Sequence, residues 1–221
     1  MDADFLIPRQ VKYLMHAYSN PWFVAGGWAI DLFLKRVTRK HKDIEIGIFR
    51  SDQLLLHKYL KEWLFKKVKK QSAEKRGQLE EWQETEYLEL PTHEIHATRR
   101  LHLNQTLRVC PGTQNRISRE YSTSNLPELE VLLNERDDSC WIYRRNFQIR
   151  RELSKTILYT KTGIPYLAPE IVILYKSKNP NPDDEFDFNN TVNNLGYGPR
   201  AWLATSIEIT KPGHQWLDRL A

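Results

Sequence analysis

The sequence has few of the residues that mark secreted, zinc-thiolate or membrane proteins. Its two cysteines, Cys110 and Cys140, form no CxxC pair, so neither a disulfide framework nor a thiolate zinc site is indicated. No uncharged apolar run is long enough to span a membrane, and the first residues lack the apolar core of a signal peptide. GxSxG and Walker A motifs are also absent. We therefore expect a soluble protein of the reducing cytoplasm.

What the sequence does contain is the composition of a folded domain. Apolar residues make up 40% of its 221 residues and aromatic residues 11%, which is enough for one buried core. Lysine and arginine (33) exceed aspartate and glutamate (28), giving a formal net charge of +5. Much of this excess lies in residues 58–76 and 99–119. Those segments either meet polyanions, including nucleotides, or form a solvated helix face and a charged loop.

Hydrophobic periodicity predicts a mixed α/β core that is followed by helices. The predicted core helices cover residues 7–18 and 28–34, and a third begins at Ser51. The predicted strands cover residues 22–25, 43–49, 65–68, 93–98, 128–133 and 141–144. The predicted C-terminal helices cover residues 169–177, 184–193 and 200–209. We therefore predict an α+β fold with a core over residues 1–160, a flexible insertion at 100–127 and a helical part over 161–221.

Two local patterns point to phosphate and metal chemistry. Gly26 and Gly27 lie between a predicted strand and a predicted helix, where free backbone N–H groups can receive a phosphate. Asp43 and Glu45 stand two apart on the next predicted strand, so both carboxylates project from one face and suit Mg²⁺. Each pattern alone has an ordinary explanation, as a tight turn or a solvent-facing strand. Together they predict a nucleotidyl-transfer site.

The stretch that carries both patterns, VAGGWAIDLFLKRVTRKHKDIEIGIF from Val24 to Phe49, resembles the nucleotidyltransferases of the DNA polymerase β superfamily. In detail it is similar to the aminoglycoside 2''-adenylyltransferase and lincosamide nucleotidyltransferase branch. The resemblance implies a small core of mixed β-sheet flanked by helices. It also implies two Mg²⁺ ions bound through Asp43 and Glu45, and ATP or another nucleoside triphosphate whose phosphates lie against Gly26 and Gly27.

The same resemblance implies a third carboxylate on a neighbouring strand, which would bind metal and act as general base toward the acceptor. We choose Glu130, because its surroundings, LEVLL, combine an acid with alternating apolar residues. Glu128 on the same strand and Glu94 within HEIH remain alternatives. The predicted catalytic and metal-binding set is therefore Asp43, Glu45 and Glu130.

Three cations are candidates for binding the nucleotide. Arg39 precedes the predicted strand of Asp43 and Glu45. Arg144 follows Trp141 and Tyr143 on a later predicted strand. Arginine forks suit phosphate oxygens. Lys176, within ILYKSK, would reach the triphosphate from the C-terminal part. The competing interpretation is ion pairing and core packing for the arginines and an exposed helix position for the lysine.

Two further groups of polar residues have simpler interpretations. His93 and His96 would lie on opposite faces of a predicted strand, so a zinc hydrolase is not indicated. The second group is an acidic cluster made up of Asp183, Asp184, Glu185 and Asp187. Such a cluster most often caps a helix N-terminus. Alternatively, it would face a cationic acceptor.

The expected reaction is transfer of a nucleoside monophosphate, AMP from ATP in particular, to a hydroxyl group of an antibiotic-like small molecule. Aminoglycosides carry several ammonium groups and suit an acidic enzyme, whereas this chain has a pI near 9.1. We therefore expect an acceptor of lower positive charge. Two other hypotheses remain, an RNA or protein acceptor of the toxin–antitoxin type and a nucleotide-binding module without turnover.

Overall fold

The structure is a computed structural model that describes residues 5–69, 78–100, 126 and 128–220. The helices of these ranges are α1 (Leu6–Leu14), α2 (Gly26–Leu34), α3 (Gln53–Tyr59), α4 (Pro169–Lys176), α5 (Pro182–Val192), α6 (Tyr197–Thr210) and α7 (Leu217–Leu220). The strands are β1 (Trp22–Val24), β2 (Glu45–Phe49), β3 (Trp63–Lys69), β4 (Gln78–Glu81), β5 (Glu94–Arg99), β6 (Glu128–Arg136), β7 (Cys140–Ile142), β8 (Arg150–Glu152), β9 (Ile157–Tyr159) and β10 (Pro165–Leu167). In the part of the chain that is described, no helix has the length and apolar character needed to cross a membrane.

The strands form one mixed sheet in the order β4-β3-β5-β6-β2-β1-β10-β9, and β7 and β8 extend it from β6. Pairing is parallel between β2 and β6 and between β1 and β10, and antiparallel elsewhere along this order. The predicted mixed α/β fold is therefore confirmed.

The two faces of the central strands differ as their alternating sequence predicts. Ile46 and Ile48 on β2 are fully buried, as are Ile95 on β5 and Val131 on β6. Because side chains alternate along a strand, the opposite face of the same strands carries Glu45 and its neighbours. One face thus builds the core and the other is left for polar chemistry.

Strand β2, which was predicted to carry both Asp43 and Glu45, begins two residues later than predicted. Asp43 precedes β2 instead of lying on it. The indole Nε1 of Trp28 donates to the carbonyl oxygen of Asp43 at 3.1 Å, so this backbone group is held by a side chain of α2. The ladder with β6 starts nearby, where the amide of Glu130 donates to the carbonyl of Ile44 at 3.0 Å.

Two other predicted starts were wrong by a residue or two. A 3₁₀ turn (Arg50–Asp52) precedes α3, and the Ser51 hydroxyl donates to Asp52 Oδ1 at 3.1 Å instead of capping the helix. His93 lies just before β5. The predicted strand 93–98 therefore starts one residue too early.

The sheet continues beyond residue 160, where the sequence predicts the helical part to begin. β10 pairs with both β1 and β9, so helices take over only at Pro169, which occupies the first turn of α4 as predicted. A three-residue buried strand such as Pro165–Leu167 shows no alternation from which it could be recognised. Most of the predicted insertion at 100–127 lies outside the described residues.

Candidate active site

The first glycine of the pair lies directly against a carboxylate. Gly26 starts α2 with a φ of +57°, and a Cβ atom added there would lie 1.3 Å from Oε2 of Glu45. Just before it, the amide of Ala25 donates to the carbonyl oxygen of Glu45 at 2.8 Å. Both the left-handed backbone and the close approach require glycine, so this position is more than an ordinary tight turn.

The second glycine faces the segment that leads into β2. A Cβ atom on Gly27 would lie 2.6 Å from Nδ1 of His41 and 2.7 Å from Nη2 of Arg39. The start of α2 is therefore closely surrounded by side chains of the stretch that carries the family resemblance.

A buried aspartate in α2 holds this segment in place. Asp31 is fully buried; its Oδ2 lies 2.5 Å from Nε2 of His41, and its Oδ1 accepts from the amide and hydroxyl of Thr38 at 3.1 and 2.6 Å. The sequence prediction missed this contact. A single aspartate within the apolar run AIDLFL was the available signal, because a buried carboxylate requires hydrogen-bond partners.

An acidic row crosses three strands on the polar face of the sheet. Glu45 on β2 is the register partner of Glu130 on β6, which is in turn the partner of His96 on β5. Glu94 and Glu128 lie two residues from members of this row and therefore share its face. All three candidates for the third carboxylate thus lie on one face, and Glu130 is the one directly beside Glu45.

His96 is a member of this row that the sequence prediction did not include. Its Nε2 lies 3.1 Å from Oε1 of Glu94, and its Nδ1 lies 3.5 Å from Oε1 of Glu128 and 3.9 Å from Oε1 of Glu130. The alternation of HEIH, which puts Glu94 and His96 on the same face, was the signal for it.

The carboxylates of the row repel one another. Burial, followed by the charges of Glu130 and Asp43, raises the pKa of Glu45 to about 7, although the charge of Lys176 opposes the shift. Burial and the charge of Asp43 likewise raise the pKa of Glu130, against the charge of His96. A cation bound among these groups would relieve the repulsion.

The donor set of the row fits a divalent ion. Within the described ranges, no group of three histidine, cysteine, aspartate or glutamate side chains is arranged to hold a metal. Mg²⁺ nevertheless needs only one or two carboxylates, because substrate phosphates and water complete its shell. Glu45 and Glu130 are adjacent hard oxygen donors, and the charge of Asp43 acts on both.

Two of the three predicted nucleotide-binding cations come together on the other side of Gly27. Arg39 donates from Nε and Nη2 to the two carboxylate oxygens of Asp187 at 3.0 and 2.9 Å. Lys176 donates from Nζ to Asp184 at 2.6 Å and lies 3.1 Å from Oδ2 of Asp187. Both cations line a cavity of about 190 Å³ that Gly27, Asp43 and Glu45 also line.

Arg144, the third predicted cation, lines a different cavity that also borders Glu45. Its guanidinium carbon lies 4.9 Å from the ring centroid of Tyr175, and burial lowers its pKa. It lines a cavity of about 420 Å³ together with Gly26, Glu45 and Lys176. The structure therefore brings every predicted site residue to one of two cavities that share Glu45, or to the acidic row next to them.

The acidic cluster at 183–187 has two roles, the first of which was predicted. Asn181 caps α5 in a reciprocal pair of hydrogen bonds with Asp184, at 3.0 and 3.1 Å, so the capping role is confirmed. Asp187 is fully buried and binds Arg39 and Lys176.

Comparison with known proteins found one matching family model. Residues 9–96 match the family model of aminoglycoside-2''-adenylyltransferase. The predicted family resemblance is thereby confirmed, and with it the expectation of an enzyme of the adenylyltransferase type. The match includes Gly26, Gly27, Asp43 and Glu45. Comparison with curated proteins found no match.

Three solved structures align with this chain at low sequence identity, and the first of them supports the mixed α/β fold. The crystal structure of ANT(2'')-Ia in complex with adenylyl-2''-tobramycin aligns with a TM-score of 0.50 at 13% identity, over 93% of this chain and 97% of that one. The solution structure of ANT(2'')-Ia gives 0.49 at 15% identity over 93% and 90%. Lincomycin-bound LnuA, a lincosamide antibiotic adenylyltransferase, gives 0.47 at 14% identity over 82% and 94%.

Proposed function

We propose that this chain is a Mg²⁺-dependent nucleotidyltransferase that moves the nucleoside monophosphate of a triphosphate, ATP in the first instance, to a hydroxyl group of a small molecule. One observation carries the proposal: the carboxylate of Glu45 lies against Gly26 at the start of α2 and beside Glu130 on the next strand. A helix start suited to phosphate and hard oxygen donors suited to Mg²⁺ thus meet at one point.

The predicted site residues would bind either the metal or the phosphates of the nucleotide. Asp43, Glu45 and Glu130 would hold Mg²⁺, which supplies neutralisation of the negative charge on the phosphates when it is bound. The backbone at Gly26 and Gly27 would face phosphate oxygens. Longer side chains would bind the remaining oxygens with charge-assisted hydrogen bonds; these are Arg39, Arg144 and Lys176.

In the proposed reaction the acceptor oxygen attacks the α-phosphorus in line and forms a new P–O bond. The bond from this phosphorus to the bridging oxygen of the β-phosphate breaks, and pyrophosphate leaves with the electron pair. The proton of the acceptor hydroxyl moves to the carboxylate of Glu130, which acts as the general base. The protein's main contribution is to hold the two substrates in this geometry.

The charge of the whole chain and the charge near the site make opposite predictions about the acceptor. The net charge of +5 favours an acceptor of low positive charge. A cavity of about 350 Å³ beside the row, however, is lined by Asp43, Glu128 and Glu130 as well as by Lys42, and this local excess of acid suits an ammonium group. The family match and the tobramycin adduct of ANT(2'')-Ia make antibiotic-like acceptors the first candidates, both those of low positive charge and those with ammonium groups.

The test is pyrophosphate release from each of the four nucleoside triphosphates with tobramycin, lincomycin and neutral polyhydroxylated acceptors, together with the mass of the modified acceptor. We expect Mg²⁺-dependent release and an acceptor heavier by one nucleotidyl group, which is a nucleoside monophosphate less one water. Asp43→Asn should lower the rate at least about 100-fold, while its thermal midpoint stays close to that of the wild type because Asp43 is exposed. Full activity of Asp43→Asn would contradict the proposed metal site, and label transferred from ATP to RNA or protein would contradict the proposed acceptor.

A further inference from the structure

Asp187 is a buried carboxylate that joins three separate elements. It lies on α5 and is fully buried, and it receives two parallel hydrogen bonds from Arg39, which belongs to the segment between α2 and β2. The ammonium group of Lys176, the last residue of α4, lies 3.1 Å from its Oδ2. Thr191 donates its hydroxyl to the carbonyl oxygen of Asp187 at 2.6 Å, which fixes the backbone at this point.

The three charges stabilise one another. Burial would raise the pKa of Asp187, but hydrogen bonds from Arg39 and the charge of Lys176 outweigh it and lower that pKa. Burial would lower the pKa of Lys176, but the hydrogen bond to Asp184 and the charge of Asp187 outweigh it and raise that pKa. All three groups are therefore charged at neutral pH.

Both cations keep donors for a further ligand. Asp187 uses Nε and Nη2 of Arg39, and Nη1 has only a long contact of 3.4 Å with the carbonyl of Lys40 and one of 3.8 Å with Asp183. An ammonium group has three protons, of which Lys176 directs two toward Asp184 and Asp187. Both Arg39 and Lys176 line the cavity that Gly27 and Glu45 also line.

We propose that Asp187 is a positioning residue that holds Arg39 and Lys176 together at the start of α2, so that both cations contact the triphosphate of the nucleotide. The inference rests on the proposed function and adds to it the residue that organises its phosphate-binding cations. Long cationic side chains lose considerable rotamer freedom when they bind a ligand, and a carboxylate that already fixes two of them lowers that cost before ATP arrives.

The experiment compares Mg²⁺-ATP binding by isothermal titration calorimetry, and kcat and KM for ATP, in the wild type and in Asp187→Asn. We expect about tenfold weaker ATP binding and a similar rise in KM, with kcat at saturating ATP changed by less than about threefold. The control is Glu208→Gln, an exposed acid on α6 away from this cavity, which should bind ATP like the wild type. Unchanged ATP affinity in Asp187→Asn would overturn the inference.

A mutant cycle separates positioning from a merely structural role. In the background Arg39→Gln Lys176→Gln, adding Asp187→Asn should cause no further loss of ATP affinity, because the cations it positions are gone. An equal loss in both backgrounds would overturn the inference.

If Asp187→Asn does not fold, Arg39→Lys provides a second test, because lysine keeps the charge but cannot form the two parallel hydrogen bonds. We expect ATP binding by this variant to be about fivefold weaker. Wild-type affinity would overturn the inference.

Failure of this inference is distinguishable from failure of the proposed function. A wild-type protein that neither binds Mg²⁺-ATP nor releases pyrophosphate contradicts the function itself. An active wild type whose Asp187→Asn variant has the same KM for ATP contradicts only the role of Asp187.

Discussion

Two groups of acidic residues lie within the same site, and their electrostatics are opposite. In the row on the sheet, Glu45 and Glu130 have acidic neighbours, and burial together with mutual repulsion raises their pKa values. On α5, Asp187 is surrounded by cations that lower its pKa. The first group is dominated by acidic charge, whereas the second already has its counter-charges. The partners that surround a carboxylate therefore set the direction of its pKa shift, and they separate the metal-binding group that we propose from the positioning residue that we propose.

The largest effect that tests this contrast concerns Glu45 in the absence of metal. Its pKa lies above the ordinary value of 4.5, at about 7, so the folded state disfavours the charged form and loses stability as pH rises through this range. In the presence of a chelator, the free energy of unfolding of Glu45→Gln should exceed that of the wild type by up to about 3 kcal/mol at pH 8. Below pH 4.5 the two free energies should be equal. Chemical denaturation at both pH values measures the difference.

The matched control for this prediction is Glu89→Gln, an exposed acid outside the row. Addition of Mg²⁺ should raise the wild-type stability more than that of Glu45→Gln, because the variant lacks a ligand and has less repulsion to relieve. A Glu45→Gln variant with wild-type stability at pH 8 would refute the idea that the row is strained by its own charge.

A smaller effect of opposite sign is expected on α5. Asp187→Asn should destabilise the fold at pH 7 by about 2 kcal/mol, because hydrogen bonds to charged groups are worth about 1.5–3 kcal/mol. Since the pKa of Asp187 lies below 3.8, the stabilisation is complete above that pH and is lost only as pH falls further. Urea midpoints from pH 7 downward measure this dependence. A difference that already fades near pH 6 would contradict the assignment.

The smallest effect is expected for Asp183 on the same helix. Its side chain is 63% exposed and lies 3.8 Å from Nη1 of Arg39, and exposed ion pairs of this kind contribute less than about 1 kcal/mol. Asp183→Asn should therefore change the free energy of unfolding by less than about 0.5 kcal/mol. A larger loss would show that the paired region extends to the surface and is not confined to Asp187.

The part of the site that is local in sequence was predictable. Gly26, Gly27 and Glu45 belong to one strand–turn–helix–strand segment, so their spacing was enough to bring them together. Glu130 was chosen from the pattern LEVLL, and the register with β2 puts it beside Glu45. Asp43 was expected on the strand, but a hydrogen bond from Trp28 holds it just before the strand begins.

The part that depends on distant contacts was not predictable. Asp187 belonged to an acidic cluster for which helix capping was a sufficient explanation, and only packing of α5 against the core reveals its partners. His96 shares its face with Glu130 through strand pairing that a single sequence does not specify. The strands β8, β9 and β10 have three residues each, too few for a period to emerge.

The position of β10 has a consequence for how the protein forms. Val24 on β1 pairs with Ile46 of β2 on one side and with Tyr166 of β10 on the other, so the second edge of the strand that leads into Gly26 stays unpaired until about three quarters of the chain has been synthesised. Contacts between such distant residues form late and slowly. We infer that the backbone around Gly26 and Gly27 acquires its final geometry only after residue 167 has left the ribosome.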